Sequence, residues 1–187
     1  MITYITPDSY EDHKDLLTQS YQLRYRVFCE KKQWDIAAKK GLEKDEYDEK
    51  NMHYLIYQDN DGIVRGCLRF IEMIHPCMLE GPFNFALSNV KDFKKKGYWE
   101  FTRFAIELND HNKNIARLFL AKLIEIGLSN QEYIEGFFGI SFPSVKKLFN
   151  KYGLFTFDIN SVSIGQDTTC IWLFTPMQLS LEKLLKN

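Results

Sequence analysis

Much of what this sequence lacks narrows what it can be. Its four cysteines, Cys29, Cys67, Cys77 and Cys170, contain no C-x-x-C pair, and its four histidines, His13, His53, His75 and His111, form neither H-E-x-x-H nor a close Cys/His group. No bound metal is therefore expected, and the thiols are expected to be reduced. Excess charge is also missing. The 24 Lys and Arg stand against 25 Asp and Glu for a net charge of -1, which gives no basic field to hold nucleic acid. No apolar run is long enough to span a bilayer. The N-terminal M-I-T-Y-I-T-P-D lacks the basic start and apolar stretch of a signal peptide, so a mature cytoplasmic protein is expected to begin there. Repeats and low-complexity tracts are absent. What is present, 187 residues of which 45% are hydrophobic and 26% charged, can bury one good core, and a single domain over residues 1–187 is expected.

Strand and helix patterns alternate along the chain. Met1 to Thr6 reads as a strand ending at Pro7-Asp8, and Tyr10 to Phe28 as a helix with Leu16, Leu17, Tyr21, Leu23, Val27 and Phe28 at mostly helical spacing. Cys29 to Asn51 is a long connection, and connections of that length usually carry function. His53–Gln58 and Ile63–Met73 are predicted strands joined by Asp59-Asn60-Asp61-Gly62, whose glycine supplies the positive φ of a hairpin turn. After an irregular stretch from Ile74 to Gly97 come a strand over Tyr98–Ile106, a helix over Asn114–Leu128, and a strand over Tyr133–Ile140. A helix opening on Pro143 and ending at Lys151 follows, then strands over Leu154–Asp158, Ser161–Ile164 and Thr169–Phe174 and a closing helix over Pro176–Leu185. The pattern predicts one α/β domain with a mixed sheet and helices on both faces.

The stretch from Leu23 to Asp48 draws chemical attention. On a helix Arg24 and Phe28 share a face; Trp34 follows six residues later, with Asp45 and Asp48 beyond it. One cationic fork, two aromatic rings and two carboxylates within a short piece of chain suit a small ligand carrying a carboxylate and a positive centre. Arg69 sits in the middle of a predicted strand, where an unpaired guanidinium costs several kcal/mol, so it should find a carboxylate among Asp45, Asp48 or Glu100. In Glu100-Phe101-Thr102-Arg103 the regular strand alternation sends Glu100 and Arg103 to opposite faces, and a bulge would bring them together.

This series, R-x-x-x-F-x-x-x-x-x-W, then D-x-x-D, an Arg in the second hairpin strand and E-x-x-R in a later one, resembles the acyl-homoserine lactone synthase family, the LuxI-type autoinducer synthases. Arg24, Phe28, Trp34, Asp45, Asp48, Arg69, Glu100 and Arg103 fill all eight positions of that family's pattern, and the likeness runs from the first helix through Ile106 and more loosely to Gly153. The resemblance implies a single α/β/α sandwich with a mixed, partly splayed sheet, like that of the GNAT acyl-CoA N-acyltransferases. It implies S-adenosylmethionine as substrate, an acyl carrier protein as acyl donor, and no other cofactor.

Under that reading Arg24, Phe28, Trp34, Asp45, Asp48 and Arg103 bind S-adenosylmethionine, while Glu100, Arg103 and Arg69 serve catalysis. A guanidinium forks the carboxylate, ring faces meet the sulfonium, and the two aspartates either add negative potential or brace the arginines. Glu100 is the expected base for the attacking amine. Met78, Phe101, Phe104, Leu118, Phe138, Ile140, Ser141 and Phe142 are the expected acyl pocket. Ser141 stands near the place where the family often has a Thr associated with 3-oxo substrates. Lys147 and Lys151 resemble its docking surface for an acidic carrier protein. Two rivals are an acetyl-CoA-dependent GNAT acetyltransferase and a non-catalytic ligand-binding module. Against the first, no glycine lies between Glu107 and Phe119, where a pyrophosphate loop would need one; against the second, Glu100 and all three arginines are retained.

Overall fold

The Asp59–Gly62 turn forms as its composition demands. Asp59 accepts the amides of Asp61 and Ile63 at 3.0 and 2.9 Å, and Gly62 takes a φ of +75° that residues with a Cβ rarely adopt. This computed structural model describes residues 1–48, 50–84, 91–107, 114–129, 134–154, 156–164, 167–176 and 178–186. The chain gathers into two compact units, Met1–Phe70 with Arg103–Phe119, and Ile71–Thr102 with Leu120–Asn187.

In the first unit, β1 (Ile2–Ile5) pairs antiparallel with β4 (His53–Gln58), and β4 pairs antiparallel with β5 (Val64–Glu72). At its far end the Glu107 amide donates to the Arg65 carbonyl at 2.8 Å. Two short 3-10 turns lead into α1 (Lys14–Arg24). The sequence predicts an uninterrupted helix to Phe28, but at Tyr25 the coil widens into a π-helix that runs to Lys31. That wider register takes an extra residue into each turn, so the amide of Lys32 reaches the carbonyl of Val27. The long connection then holds a small hairpin, β2 (Ala38–Lys39) with β3 (Leu42–Glu43), turned at Gly41 with φ +76°. Ile5, Leu23, Leu55, Ile56, Leu68 and Phe70 form the apolar interior.

The second unit carries both kinds of strand pairing. β6 (Tyr98–Ile106), whose first five residues belong here, runs parallel to β7 (Gly136–Ser141). β7 pairs antiparallel with β9 (Asp167–Phe174), and β9 pairs antiparallel with β8 (Thr156–Ile164). The two short strands expected over 154–158 and 161–164 are therefore one strand, irregular between Asp158 and Asn160. The predicted β7 begins three residues later than expected, with residues 130–133 outside those described. α2 (Ile115–Leu128), α3 (Pro143–Lys151) and α4 (Gln178–Lys186) lie within a residue or two of the predicted helices. Among the described residues no helix is long and apolar enough to cross a membrane.

Candidate active site

In the first unit three arginines and three carboxylates close into a ring. Arg24 Nε donates to Glu43 at 2.5 Å, and its two Nη atoms fork Asp48 at 2.8 Å each. Asp48 also holds Arg69 at 2.9 Å. Arg69 forks Asp45 at 2.5 and 2.9 Å, Asp45 meets Arg103 at 2.8 Å, and Arg103 returns to Glu43 at 3.0 Å. Arg69 thus finds the carboxylate that its strand position demanded, and two of the three candidates, Asp45 and Asp48, supply it. The aspartates brace the arginines, as one of their two expected readings had it. Tyr54 donates its hydroxyl to Asp48 at 2.9 Å, and the Asp45 amide donates to the same carboxylate at 2.9 Å.

Burial is uneven around this ring. The side chains of Arg24, Glu43, Asp48 and Arg69 are at most 1% exposed, while Arg103 is 11% and Asp45 16% exposed. Arg24, for which a surface ion pair is the plain expectation, is instead sealed in the interior, with three of its five N–H groups on carboxylates. Burial opposes the charge on Arg24 and Arg69, yet the facing carboxylates win and raise both guanidinium pKa values. Burial likewise opposes the Asp48 carboxylate, and Arg69 and Arg24 more than offset it, holding Asp48 well below the usual range.

Arg103 sits on a local reversal of the strand. Its φ of +54° lies in the left-handed region, so strand alternation breaks at this residue, and its carbonyl accepts the Cys67 thiol at 3.6 Å. Upstream, Phe28 and Trp34 stack face to face, with ring centroids 4.8 Å apart and planes parallel, and the Trp34 amide bonds the Phe28 carbonyl at 2.9 Å. At that spacing nothing fits between the rings. Phe28 is buried and Trp34 is 36% exposed, so Trp34 is the ring of the pair nearer to solvent.

Glu100 belongs to the second unit and is fully buried. Its two oxygens accept the amides of Met78 and Leu79 at 2.9 and 3.0 Å, at the start of the 3-10 turn Met78–Glu80. Lys94 steadies that loop, with Nζ on the carbonyls of Met73 and His75 and 2.8 Å from Glu80.

A family model described as autoinducer synthase matches residues 8–140. This chain belongs to that family. An acyl-homoserine-lactone synthase of Vibrio anguillarum is 30% identical over 137 residues, 71% of this chain and 70% of that protein. One of Agrobacterium fabrum is 32% identical over 123 residues, 65% of this chain but 58% of its own length. Among solved structures, a CoA-dependent acyl-homoserine lactone synthase, BjaI, with SAM and isopentyl-CoA superposes with a TM-score of 0.89 at 20% identity, covering 100% of this chain and 88% of that one. A putative N-acetyltransferase from Lactobacillus plantarum follows the same fold at TM-score 0.62 and 14% identity, covering 94% and 99%. The fold is thus the GNAT-like acyltransferase fold, and the autoinducer synthase family to which the chain belongs is one of acyltransferases.

For an autoinducer synthase, the residues expected to line an acyl pocket divide. Met78, Phe101 and Phe138 are buried in the second unit, with Ile140, Ser141 and Phe142 partly so. Phe104 packs edge-on to Phe119 in the first unit. Leu118 is a correction: it is 40% exposed, because α2 turns Ile115 and Phe119 inward and leaves Leu118 outside. Ser141 is already engaged, accepting the Trp172 indole N–H at 2.9 Å and donating to the Phe142 carbonyl at 3.1 Å. Lys147 and Lys151 both lie exposed along one line of α3, one turn apart, while Phe149 faces inward.

Sequence reasoning misses Glu43, the sixth member of the ring. It lies in the charged run E-K-D-E-Y-D-E, where a solvated segment is the natural reading. Its signal is the preceding Lys40-Gly41, which turns a two-residue hairpin and points Glu43 inward. Tyr54, buried at 1%, is missed as an ordinary strand aromatic. Among the described residues no group of three or more His, Cys, Asp and Glu side chains is placed to hold a metal.

Proposed function

We propose that this chain is a cytoplasmic acyl-homoserine lactone synthase. It transfers a fatty acyl group from an acyl carrier protein to the amine of S-adenosylmethionine and then closes the lactone, releasing methylthioadenosine and a quorum-sensing signal. No further cofactor takes part. The observation that carries the reading is the accessible edge of the ring, where Arg103 and Asp45 stand 2.8 Å apart as the two least buried of its six members. A cation and an anion side by side suit an amino-acid headgroup, with Arg103 forking its carboxylate and Asp45 meeting its ammonium. Arg69, sealed at 1%, holds Asp45 directly, and Arg24, equally sealed, acts through Glu43, which holds Arg103. Trp34, the more exposed ring of the stacked pair, meets the sulfonium.

The first step needs the neutral amine. A free α-amine has a pKa of roughly 7.7–8.0, so the proton is loosely held and a carboxylate accepts it directly or through water; Glu100 has that role. The amine nitrogen then bonds the thioester carbonyl carbon, the C–S bond breaks, and the carrier leaves as a thiol. Backbone N–H groups at the reversal near Arg103 and Phe104 stabilise the oxyanion. In the second step the carboxylate oxygen attacks the γ-carbon of the same substrate, the bond from that carbon to sulfur breaks, and methylthioadenosine departs. Positioning by Arg103 is what this step requires.

Exposed Lys147 and Lys151 support an acidic carrier protein as donor, whereas the BjaI relative is described as CoA-dependent. Purified protein is therefore mixed with S-adenosylmethionine and two panels of donors, acyl carrier proteins and acyl-CoAs. Methylthioadenosine release and the mass of any lactone are measured. Release of neither product from any donor would sink the proposal, and turnover confined to the CoA panel would reassign the donor.

A further inference from the structure

The run Lys94-Lys95-Lys96 reads as a solvated stretch, and in the second unit its first member departs from that. Lys95 and Lys96 are exposed, whereas the Lys94 side chain is 24% exposed and turned onto the segment from Met73 to Glu80. An ammonium carries three N–H donors, and this one finds three acceptors there: the Met73 carbonyl at 2.9 Å, the His75 carbonyl at 3.1 Å and the Glu80 carboxylate at 2.8 Å. The segment needs such support. Met73, Cys77, Met78 and Leu79 are buried, Pro76 has no N–H to give, and polar backbone carried into the interior has to be paired.

The far end of the segment leads to Glu100. Glu80, held by Lys94, accepts the Cys77 amide at 3.3 Å and so closes the turn. The next two amides, those of Met78 and Leu79, are the pair that donate to the Glu100 oxygens. The near end is tied to the same strand: the Met73 amide donates to the Tyr98 carbonyl at 2.8 Å, and the Gly97 amide donates to Glu72 at 2.9 Å. From Glu100 the path thus runs through Met78, Leu79 and Glu80 to Lys94, and back along the chain to Glu100. With an N–H donor on each oxygen, a carboxylate turns only if the donors turn with it.

We propose that Lys94 is a positioning residue for acyl transfer: it fixes the turn whose Met78 and Leu79 amides aim the Glu100 carboxylate. The inference rests on the acyltransfer reading proposed above, in which Glu100 takes the proton of the attacking amine. A base acts only within hydrogen-bond reach of that proton, and a misplacement of about 1 Å costs on the order of 10²-fold. Removing the ammonium takes away at once the three contacts that hold the turn, while Glu100 itself stays. The effect therefore falls on turnover and depends on Glu100 being present.

The test uses the full chain, its Lys94→Met, Glu80→Ala and Glu100→Gln variants, and the doubles that join Glu100→Gln to each of the other two. Methylthioadenosine release with S-adenosylmethionine and the acyl donors gives kcat and KM, and thermal melting reports folding. Lys94→Met should lower kcat roughly 10- to 100-fold and Glu80→Ala at least about threefold, with KM for S-adenosylmethionine within about twofold of wild type. Glu100→Gln should lower kcat by about 10²-fold or more. In the Glu100→Gln background neither further change should lower kcat by more than about twofold, because residues that act through one group are not additive. A change that only loosens the fold would multiply equally in both backgrounds, and that result overturns the inference. An unchanged kcat in folded Lys94→Met does the same. Should Lys94→Met not fold, Glu80→Ala carries the same comparison from the other side of the ion pair. Wild-type turnover by Glu100→Gln removes the base reading and this inference with it, whereas release from no donor at all removes the acyltransfer reading.

Discussion

Replacing Glu43 with Gln tests the closed ring where its chemistry is most exacting. Glu43 is buried and holds Arg24 at 2.5 Å and Arg103 at 3.0 Å. Gln keeps the shape and one acceptor oxygen but removes the charge, leaving three guanidinium groups to share two carboxylates in a site closed to water. Removing one partner of a buried ion pair costs about 3–5 kcal/mol, and the retained oxygen places this change near 3 kcal/mol. For a chain of this size that is a drop in Tm of roughly 6–12 °C. Thermal melting and urea unfolding at neutral pH measure it. The double variant Glu43→Gln with Arg24→Gln restores charge balance and should lose about 1–3 kcal/mol less than the sum of the single losses. A Glu43→Gln protein melting within about 1 °C of wild type would refute the ring as a stabilising unit. Strict additivity of the two changes would refute the coupling between its members.

Other outcomes follow from the same structure. Asp48 has its carboxyl held below the unfolded value of about 3.9, so its contribution to stability is complete above that pH and is lost as pH falls through the lower folded value. Urea midpoints should stay level from pH 7 to about 5 and decline below about 4, and a Glu43→Gln protein, with its guanidinium groups less well balanced, should still show that decline. Burial pushes the Cys67 and Cys77 thiols up to about 12. A disulfide reagent at mildly alkaline pH should therefore modify half-buried Cys29 and Cys170 first and reach the other two only on unfolding; prompt reaction of all four would contradict their burial. Trp34→Ala loses the stack on Phe28 and should lower Tm by roughly 1–6 °C while raising KM for S-adenosylmethionine by roughly 3- to 30-fold, the worth of a cation–π contact, and an unchanged KM in the folded variant would clear Trp34 of that contact. Because Ser141 already directs its proton to Phe142, an unsubstituted acyl donor should outperform its 3-oxo counterpart, and competition between the two in one reaction decides it.

What the sequence made legible is what local chemistry determines. The Asp59–Gly62 turn, the strand Tyr98–Ile106 and the helix opening on Pro143 each carry their own signal and lie where expected. Arg69 in an apolar strand had to find carboxylates, and it did. Three things were not legible. The π-turn after Arg24 is a change of register with no composition of its own, and the left-handed φ of Arg103 occurs in a residue that gives no warning of it. Glu43 was hidden because a buried glutamate and a solvated one look alike in a charged run, and only the pairing of two short strands across Gly41 distinguishes them. The stacking of Phe28 on Trp34 belongs to the same class: spacing supplied both rings, and the turn between them decided that they face each other.

In the second unit Gly139 of β7 pairs with both Phe101 of β6 and Trp172 of β9, and this limits how the strands can vary. Because the space where its side chain would begin is already taken by two rings, neither neighbour can be enlarged and the glycine itself cannot be replaced while both rings stay. Phe101 stands closest, at 2.4 Å, with Trp172 at 2.8 Å, so a small side chain at 139 should become tolerable only where both rings are shortened together. Variation in this layer would proceed by linked exchanges, in which a gain of bulk on one strand has to await a loss on the next.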